Sequence, residues 1–542
     1  MYKNIRLVFT LLLLPLLILS CKTTYQAASD VGQQSMIIPQ PSHQKISEGR
    51  FMISSKTSIN GDIRLKEVGE YLSQTLSTIT GHEFSFMAGS GELEKNTIVL
   101  LIDTSVLNDE GYRLSIKPAA IVISGKDEKG VFYGIQSLKQ LFPAETGKNH
   151  QQNSIAVHCT EIEDTPRFAW RGMMLDLSRH FIGVEEIKKL MDAMADHKLN
   201  RLHLHLSDNP AWRIEIKEYS KLTTSGATGN QHNPKAPAQF LTEKQGRELA
   251  EYARRRFITI VPEVDMPGHS GAVARAYPEL DGGENTLNVT SEKTATFIDV
   301  VLTRLTDIFN TKYFHFGSDE VTKTKWMDIP DTKAKMKELG FKEPHELEGW
   351  FDRRTAKSIL DKGLLAVAWD EASDFGVDRR TIVQWWRCLQ PEKLVQALNR
   401  GHEVIISPAD YVYFDYPYNK QEFGAGWEGM RNGGNSTELV YNWKPVPSTI
   451  TNEARSRILG VEFCVWTEFI RSEKRLEYMI FPRISAFAEV AWSSEENRNW
   501  SGFQKKLERQ EKRFESQGLN FRKPGIPDKD RPRIQPEGFS DM

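Results

Sequence analysis

Tyr313-Phe-His-Phe-Gly-Ser-Asp-Glu320 carries the pattern on which the fold turns: a short apolar run that ends in two adjacent carboxylates. The same texture recurs after Pro166. Gly172 to Leu177, Arg201 to Leu206, Phe257 to Val264, Leu364 to Ala368, Thr381 to Trp385, Glu403 to Ile406 and Gly460 to Val465 each read as a short strand. With Tyr313 to Phe316 there are eight. Helical periodicity fills several of the intervals, at Val184 to Lys198, Glu243 to Arg256 and Thr294 to Asn310. Strands alternating with helices predict an α/β fold with a parallel sheet, and eight of them close a (β/α)8 TIM barrel. A doubly wound open sheet is the alternative, but no Gly-rich phosphate loop supports it.

Each strand runs into polar or aromatic residues at its C-terminal end. In order these are Asp176 with Ser178-Arg179, Ser207-Asp208, Glu263 with Asp265, Asp319-Glu320, and Trp369-Asp370-Glu371. Trp385-Trp386, Tyr413 with Asp415, and Trp466 with Glu468 complete the series. One such residue is ordinary loop polarity; eight consecutive strand ends are not. The C-terminal rim of a barrel is where its active site forms. Aromatic faces stack on a pyranose ring while carboxylates and Arg bind its hydroxyls, so this rim predicts a sugar pocket.

Upstream, from Ile37 to Glu163, the pattern is mixed. Strands such as Thr97 to Ile102 and Ala120 to Ser124 alternate with helical stretches at Lys66 to Ile79 and Gly130 to Leu141, the latter stopped by Phe142-Pro143. Residues 37–163 therefore read as a smaller α+β domain preceding a catalytic barrel at 164–520, with a tail at 521–542. At the very start, Lys3 and Arg6 precede an almost unbroken apolar run, Leu7 to Leu19. That run is short of the roughly 20 residues a membrane span needs. It reads as a signal peptide over residues 1–21. Its end, Ile18-Leu19-Ser20-Cys21, resembles a bacterial lipobox, which implies lipidation of Cys21, a tether over residues 22–36, export, and anchoring in the bacterial cell envelope. An ordinary cleaved signal with a chance Cys is the alternative.

Composition narrows the function. A chain of 542 residues suits two or three domains, and a net charge of −2 without a long basic run argues against nucleic acid as a partner. Twelve Trp are generous for this length and fit carbohydrate binding. Cys21, Cys159, Cys388 and Cys464 are too scattered for a disulfide framework or a zinc site. Apart from Cys21 they are expected to be buried thiols.

Five motifs in order carry a family resemblance. Arg171-Gly-Met-Met-Leu-Asp-Leu-Ser-Arg-His-Phe181, Leu202-His-Leu-His-Leu-Ser-Asp208, Val264-Asp-Met-Pro-Gly-His269, His315-Phe-Gly-Ser-Asp-Glu320 and Val465-Trp-Thr-Glu468 resemble the family 20 β-N-acetylhexosaminidases. Gly130-Val-Phe-Tyr-Gly-Ile-Gln-Ser-Leu138 is similar to that family's N-terminal α+β domain. Two departures are Ser318, where the family often has Gly, and Glu462, where Gln is common. The resemblance implies an exo-acting, retaining glycosidase that releases terminal β-linked GlcNAc or GalNAc from glycans. In it the substrate's own acetamide oxygen attacks the anomeric carbon to form an oxazolinium ion.

By that resemblance Glu320 is the acid and then the base. Asp319 orients the acetamide, and Asp208 with His269 tunes the proton. Glu320 must start protonated, so the neighbouring carboxylate and partial burial are expected to raise its pKa. Arg179 is expected on the 3- and 4-hydroxyls, with Trp369, Trp386 and Trp466 as walls. Trp386 is preferred to Trp385 on the Gln384-x-Trp386-Arg387 spacing. Tyr413 would donate to the acetamide carbonyl, with Asp415 and Glu468 near the outer hydroxyls. Asp265 is grouped with the substrate-binding residues. No cofactor or metal is called for. Two other readings compete. His203-x-His205 puts two imidazoles on one strand face, as in some metal-dependent barrel hydrolases, but strands five to eight supply no further His. A non-catalytic glycan-binding lipoprotein would keep the Trp walls and lose the acid, whereas Asp319 and Glu320 are both present.

Overall fold

The computed structural model describes residues 35–89, 94–106, 108–146, 151–426 and 434–523. Cys21, the signal segment and most of the tether lie outside these residues. Among the described residues no helix is long and apolar enough to cross a membrane.

The first sheet contains β1 (His43–Ile53), β2 (Ser58–Gly61), β3 (Phe86–Ala88), β4 (Thr97–Ile102), β5 (Tyr112–Ile116), β6 (Ala120–Gly125) and β7 (Ile155–Asp164). They lie in the order β1-β7-β5-β6-β4-β2-β3. The helix Glu128–Leu141 starts where the Asp127 carboxylate accepts the Gly130 N–H at 2.8 Å. It is buried nearly all round. One reason is visible in its aromatics: Phe132 meets Phe257 and Tyr133 meets Trp492, both of which belong to the barrel.

The barrel strands are β8 (Trp170–Asp176), β9 (Arg201–His205) and β10 (Thr259–Met266), then, after a small ribbon of β11 (Asp281–Gly283) and β12 (Thr286–Leu287), five more. These are β13 (Tyr313–Gly317), β14 (Leu365–Trp369), β15 (Ile382–Trp385), β16 (Val404–Ile406) and β17 (Ile458–Val465). Neighbouring pairs are parallel, and β17 pairs with β8 to close the barrel. All eight strands read from the sequence are present.

Alternation along each strand sorts side chains between two cores. On β8, Met173 and Leu175 pack outward against the helices, while Trp170 and Met174 point into the barrel. Trp170, Val261, Val367, Ile382 and Ile405 form an apolar cluster inside. The barrel interior also holds charge: His203, His205, Glu263, His315 and Glu462 are fully buried. Gly172 makes room for this, because a Cβ there would lie 2.1 Å from Glu462 Oε2.

A second buried charge cluster joins the two domains. Lys198 Nζ lies 2.8 Å from Asp164 Oδ2, with both side chains at 0% exposure. Asp164 also accepts from Tyr112 at 2.7 Å and from Trp492 Nε1 at 3.0 Å. Beside it, Arg171 pairs with Glu110 at 2.8 Å and donates to Tyr133 at 3.0 Å. Asp164 closes β7, so the strand that ends the first domain runs one residue beyond the boundary read from the sequence. At the other end of the chain, Leu519 and Phe521 are buried against the barrel core, so the packed structure reaches just into the segment read as a tail.

Candidate active site

The C-terminal ends of the barrel strands open into a cavity of about 510 Å³. Arg179, His269, Asp319, Glu320, Trp369, Trp386, Tyr413, Trp466 and Glu468 line it. A single sugar with its substituents fits a space of this size.

Asp319 and Glu320 leave β13 through a tightly wound turn. Gly317, Ser318 and Glu320 have φ of 73°, 79° and 50°. Glycine adopts such angles freely and most other residues only with strain, and strain of this kind concentrates at functional sites. A Cβ on Gly317 would also meet Asp265 Oδ1 at 1.8 Å. Ser318 keeps its left-handed backbone while its hydroxyl donates to the buried Asp352 carboxylate at 2.7 Å. That tether gives a structural meaning to a residue which the sequence marks only as a departure. The turn points the two carboxylates different ways: Asp319 is buried, whereas the Glu320 side chain is 59% exposed.

His269 stands between them, its Nε2 3.6 Å from Glu320 Oε2 and 3.7 Å from Asp319 Oδ2. Its Nδ1 donates to Asp208 Oδ1 at 3.2 Å. Burial disfavours the imidazolium, but the Asp208 carboxylate outweighs it and pushes the His269 pKa well up. The consequence for Glu320 is the reverse of the sequence expectation. Interaction with His269 holds the Glu320 carboxyl below its ordinary range, against the raising effect of burial. The charge that dominates Glu320 is this imidazolium and not Asp319. At Asp319 burial raises the pKa, with Glu263 and Glu320 adding to it. Asp265 is raised further, by burial and then by Asp319. Two buried carboxylates side by side disfavour a second negative charge, so the pair resists full ionisation.

Arg179 holds the opposite side. Its Nη2 lies 2.6 Å from Asp208 Oδ2 and 3.6 Å from Glu468 Oε1, and its guanidinium sits 5.0 Å from the Trp466 ring centroid. Asp176 fixes the loop by accepting the N–H of Ser178 at 2.8 Å and of Thr467 at 3.0 Å. The aromatic walls are supported from behind. Trp369 Nε1 donates to Glu263 at 2.9 Å, Trp386 Nε1 donates to Glu371 at 3.1 Å, and Trp386 stacks on Tyr413 at 15°.

The expectation for Cys388 is corrected, and the other residues named from the sequence fall on either side of the cavity wall. Asp265 is buried beside Asp319 and does not line the cavity. Asp415 is fully buried and is also off the wall. Asp208 acts from behind, through His269 and Arg179. Trp385 points into the outer core, which settles which member of the Trp pair faces the cavity. Cys388 is half-buried and lines the cavity, unlike the buried thiols Cys159 and Cys464. Arg387, Leu389 and Gln390 line it as well and were not foreseen. They follow Trp386 closely, so extending the strand-end rule four residues further would have found them.

The metal reading of His203 and His205 also meets the geometry. Donor atoms of His203, Glu263 and His315 lie within 4.8 Å of one another. Each nitrogen of His203 and His205, however, already faces a carboxylate oxygen, at 2.9 and 3.0 Å for His203 and at 2.6 and 3.1 Å for His205. These contacts make an ion-pair network of the two imidazoles.

Known proteins resemble the chain along most of its length. The family model for the glycosyl hydrolase family 20 catalytic domain matches residues 168–495, and the model for domain 2 of that family matches residues 34–165. A beta-hexosaminidase of Porphyromonas gingivalis is 32% identical over 93% of this chain, which spans 66% of that longer relative. A beta-N-acetylhexosaminidase of Cellulomonas fimi is 29% identical over 86% of this chain and 92% of its own length. Among solved structures, the GH20 exo beta-N-acetylglucosaminidase of Vibrio harveyi in complex with N-acetylglucosamine superposes with a TM-score of 0.81 at 29% identity, covering 90% of this chain and 78% of that one. The GH20 beta-N-acetylhexosaminidase of Streptomyces coelicolor gives 0.79 at 30% identity, with 91% and 98% covered.

Proposed function

The chain belongs to glycosyl hydrolase family 20, and from that premise we propose that it is an exo-acting β-N-acetylhexosaminidase that removes terminal GlcNAc or GalNAc from glycans. The observation that carries the reading is the division of labour between two adjacent carboxylates. Asp319 is buried, whereas the Glu320 side chain is 59% exposed, with His269 Nε2 3.6 Å from its carboxylate. Two carboxylates with opposite environments suit two different jobs.

In the first step the acetamide oxygen of the bound sugar attacks C1 as the glycosidic bond breaks. Glu320 passes its proton to the departing oxygen. Asp319, acting as the anion, holds the acetamide N–H and stabilises the positive charge of the oxazolinium ion. In the second step Glu320 takes a proton from water, which attacks C1 and reopens the ring with net retention. Trp369, Trp386 and Trp466 exclude water and hold the acetamide, and Tyr413 donates to its oxygen. Arg179 and Glu468 engage hydroxyls of the terminal sugar.

The N-terminal sequence supports a second element of the proposal. Cys21 is lipidated and anchors the enzyme in the cell envelope, with residues 22–36 as a tether.

Purified protein should cleave aryl β-GlcNAc or β-GalNAc and leave the aryl β-glucoside intact. A thiazoline mimic of the cyclic intermediate should inhibit strongly. Trapping of a covalent glycosyl-carboxylate by a 2-fluoro sugar, with indifference to the thiazoline, would overturn the mechanism. Cys21→Ala should move the protein out of the membrane fraction, and unchanged fractionation would overturn the anchor.

A further inference from the structure

Beneath the cavity the buried charges form a single file. Glu320 Oε2 is 3.6 Å from His269 Nε2, and His269 Nδ1 is 3.2 Å from Asp208 Oδ1. Asp208 Oδ2 is 3.1 Å from His205 Nε2, and His205 Nδ1 is 2.6 Å from Glu263 Oε2. The same Glu263 oxygen is 3.0 Å from His203 Nε2, and His203 Nδ1 donates to Glu462 Oε1 at 2.9 Å. Carboxylate and imidazole alternate from the cavity to β17, hydrogen-bonded from His269 Nδ1 to Glu263 and from His203 to Glu462, and in charge contact alone at Glu320–His269 and at His203 Nε2–Glu263. Every member from Asp208 to Glu462 is at most 1% exposed.

We propose that Glu462 is a positioning residue for the catalytic site, acting as the terminal anion of an alternating carboxylate–imidazolium chain that ends at Glu320. Its Oε2 accepts from Trp170 Nε1 at 2.8 Å, and its Oε1 also accepts from Gln384 Nε2 at 2.9 Å, so the carboxylate is fixed from β8 and β15 as well as from β9. A histidine that faces a carboxylate at each nitrogen is held as the imidazolium by their combined negative charge. At His203 that demand comes from Glu263 on one side and Glu462 on the other. Burial opposes the imidazolium, but Glu263 and Glu462 outweigh it and raise the His203 pKa to about 9.

The charge matters at the site because Glu263 has two tasks. Its other oxygen accepts the Trp369 Nε1–H of the cavity wall at 2.9 Å, and its second contact is His205, which leads to Asp208 and His269. A neutral His203 leaves Glu263 less neutralised, and the field of Glu263 raises both Asp265 and Asp319. The titratable groups facing Glu462 and His203 are Glu263, His315 and Cys464. His315 is held low by burial, and its Nδ1 accepts the Gly317 N–H at 3.1 Å, while burial pushes the Cys464 thiol well up. Neither supplies the missing charge.

The inference rests on the proposed roles of Asp319 and Glu320, so its test has one arm without activity. With ring-labelled histidine in the full-length protein, His203 should hold both ring protons to about pH 9 and lose one near or below neutrality in Glu462→Gln. In kinetics, kcat/KM of Glu462→Gln should fall increasingly behind wild type as pH rises, with a deficit of about tenfold at pH 8, one pKa unit's worth. Glu462→Gln combined with Gln384→Glu returns the carboxylate to a neighbouring side chain and should restore the alkaline limb. A His203 titration unmoved in Glu462→Gln would overturn the chain, and so would a pH profile that superposes on wild type. A thermal unfolding midpoint measured on each variant separates this effect from misfolding. Absence of hydrolysis in the wild type would instead sink the proposed function, and the histidine titration would then decide the chain by itself.

Discussion

Two clusters of buried charge hold this molecule together, and they differ in how completely their partners are filled. At the domain interface, Lys198 has Asp164 and Tyr112, and Asp164 collects Tyr112, Trp492 and Lys198. At the cavity, Asp319 Oδ1, Glu468 Oε2 and His269 Nε2 are buried without a partner in the protein at hydrogen-bond distance. An unfilled buried polar atom costs about 1–3 kcal/mol, so a cluster of them at one strand-end rim marks where a ligand supplies the partners. The interface cluster is complete and therefore structural; the cavity cluster is incomplete and therefore functional.

Removing one partner from the complete cluster has the largest expected effect. Lys198→Met strands the Asp164 carboxylate in the interface and should cost about 3–5 kcal/mol of stability in denaturant unfolding. Lys198→Met with Asp164→Leu should recover much of that loss, because both charges leave together. If either variant altered kcat before it altered stability, the interface would not be merely structural.

The matching change in the incomplete cluster is Asp319→Asn. It keeps the shape and removes the charge, so kcat should fall by about 10²- to 10³-fold even with good leaving groups. Stability should hold or rise, since a buried anion short of partners is a destabilising element. A fall in stability comparable to that of Lys198→Met would erase the distinction.

A smaller effect tests the electrostatics of Glu320. The acid must be protonated to act, and His269 lowers its pKa, so the descending limb of kcat/KM sits at lower pH than it would without the imidazolium. His269→Asn, which tolerates the positive φ at that position, should lower kcat and move that limb up by about one pH unit. A limb that moves down would mean that His269 raises the acid in the functional state, in line with the sequence expectation.

The smallest expected effect concerns the Ser318 turn. Ser318→Ala keeps the strained φ of 79° and loses the tether to Asp352, at a cost of about 1 kcal/mol. Ser318→Gly loses the same hydrogen bond but relieves the backbone, and its stability should lie nearer to wild type. Equal losses in the two variants would show that the backbone at this turn is not strained.

Eight strands, their helices, the preceding α+β domain and the adjacent carboxylates were legible because they are local or periodic. Apolar runs of strand length and polar residues at strand ends survive in one dimension. The direction of a side chain at a strand end does not: Trp385 and Trp386 are neighbours in sequence and face opposite sides of the barrel wall. Asp265 and Asp415 carry the same strand-end signature as Glu468, but the tertiary structure buries them behind the wall. The pKa order was illegible for a related reason. Asp319 is bonded to Glu320 in the chain, and sequence reasoning gave that neighbour the leading role. His269, far away along the chain, reaches Glu320 through space and reverses the sign. Periodicity and composition belong to the chain, so the architecture and the inventory of chemical groups could be read along it. Which of those groups are neutralised, which face the cavity and which face each other follows from the folded arrangement, because Coulomb energy depends on separation in space and on the exclusion of water.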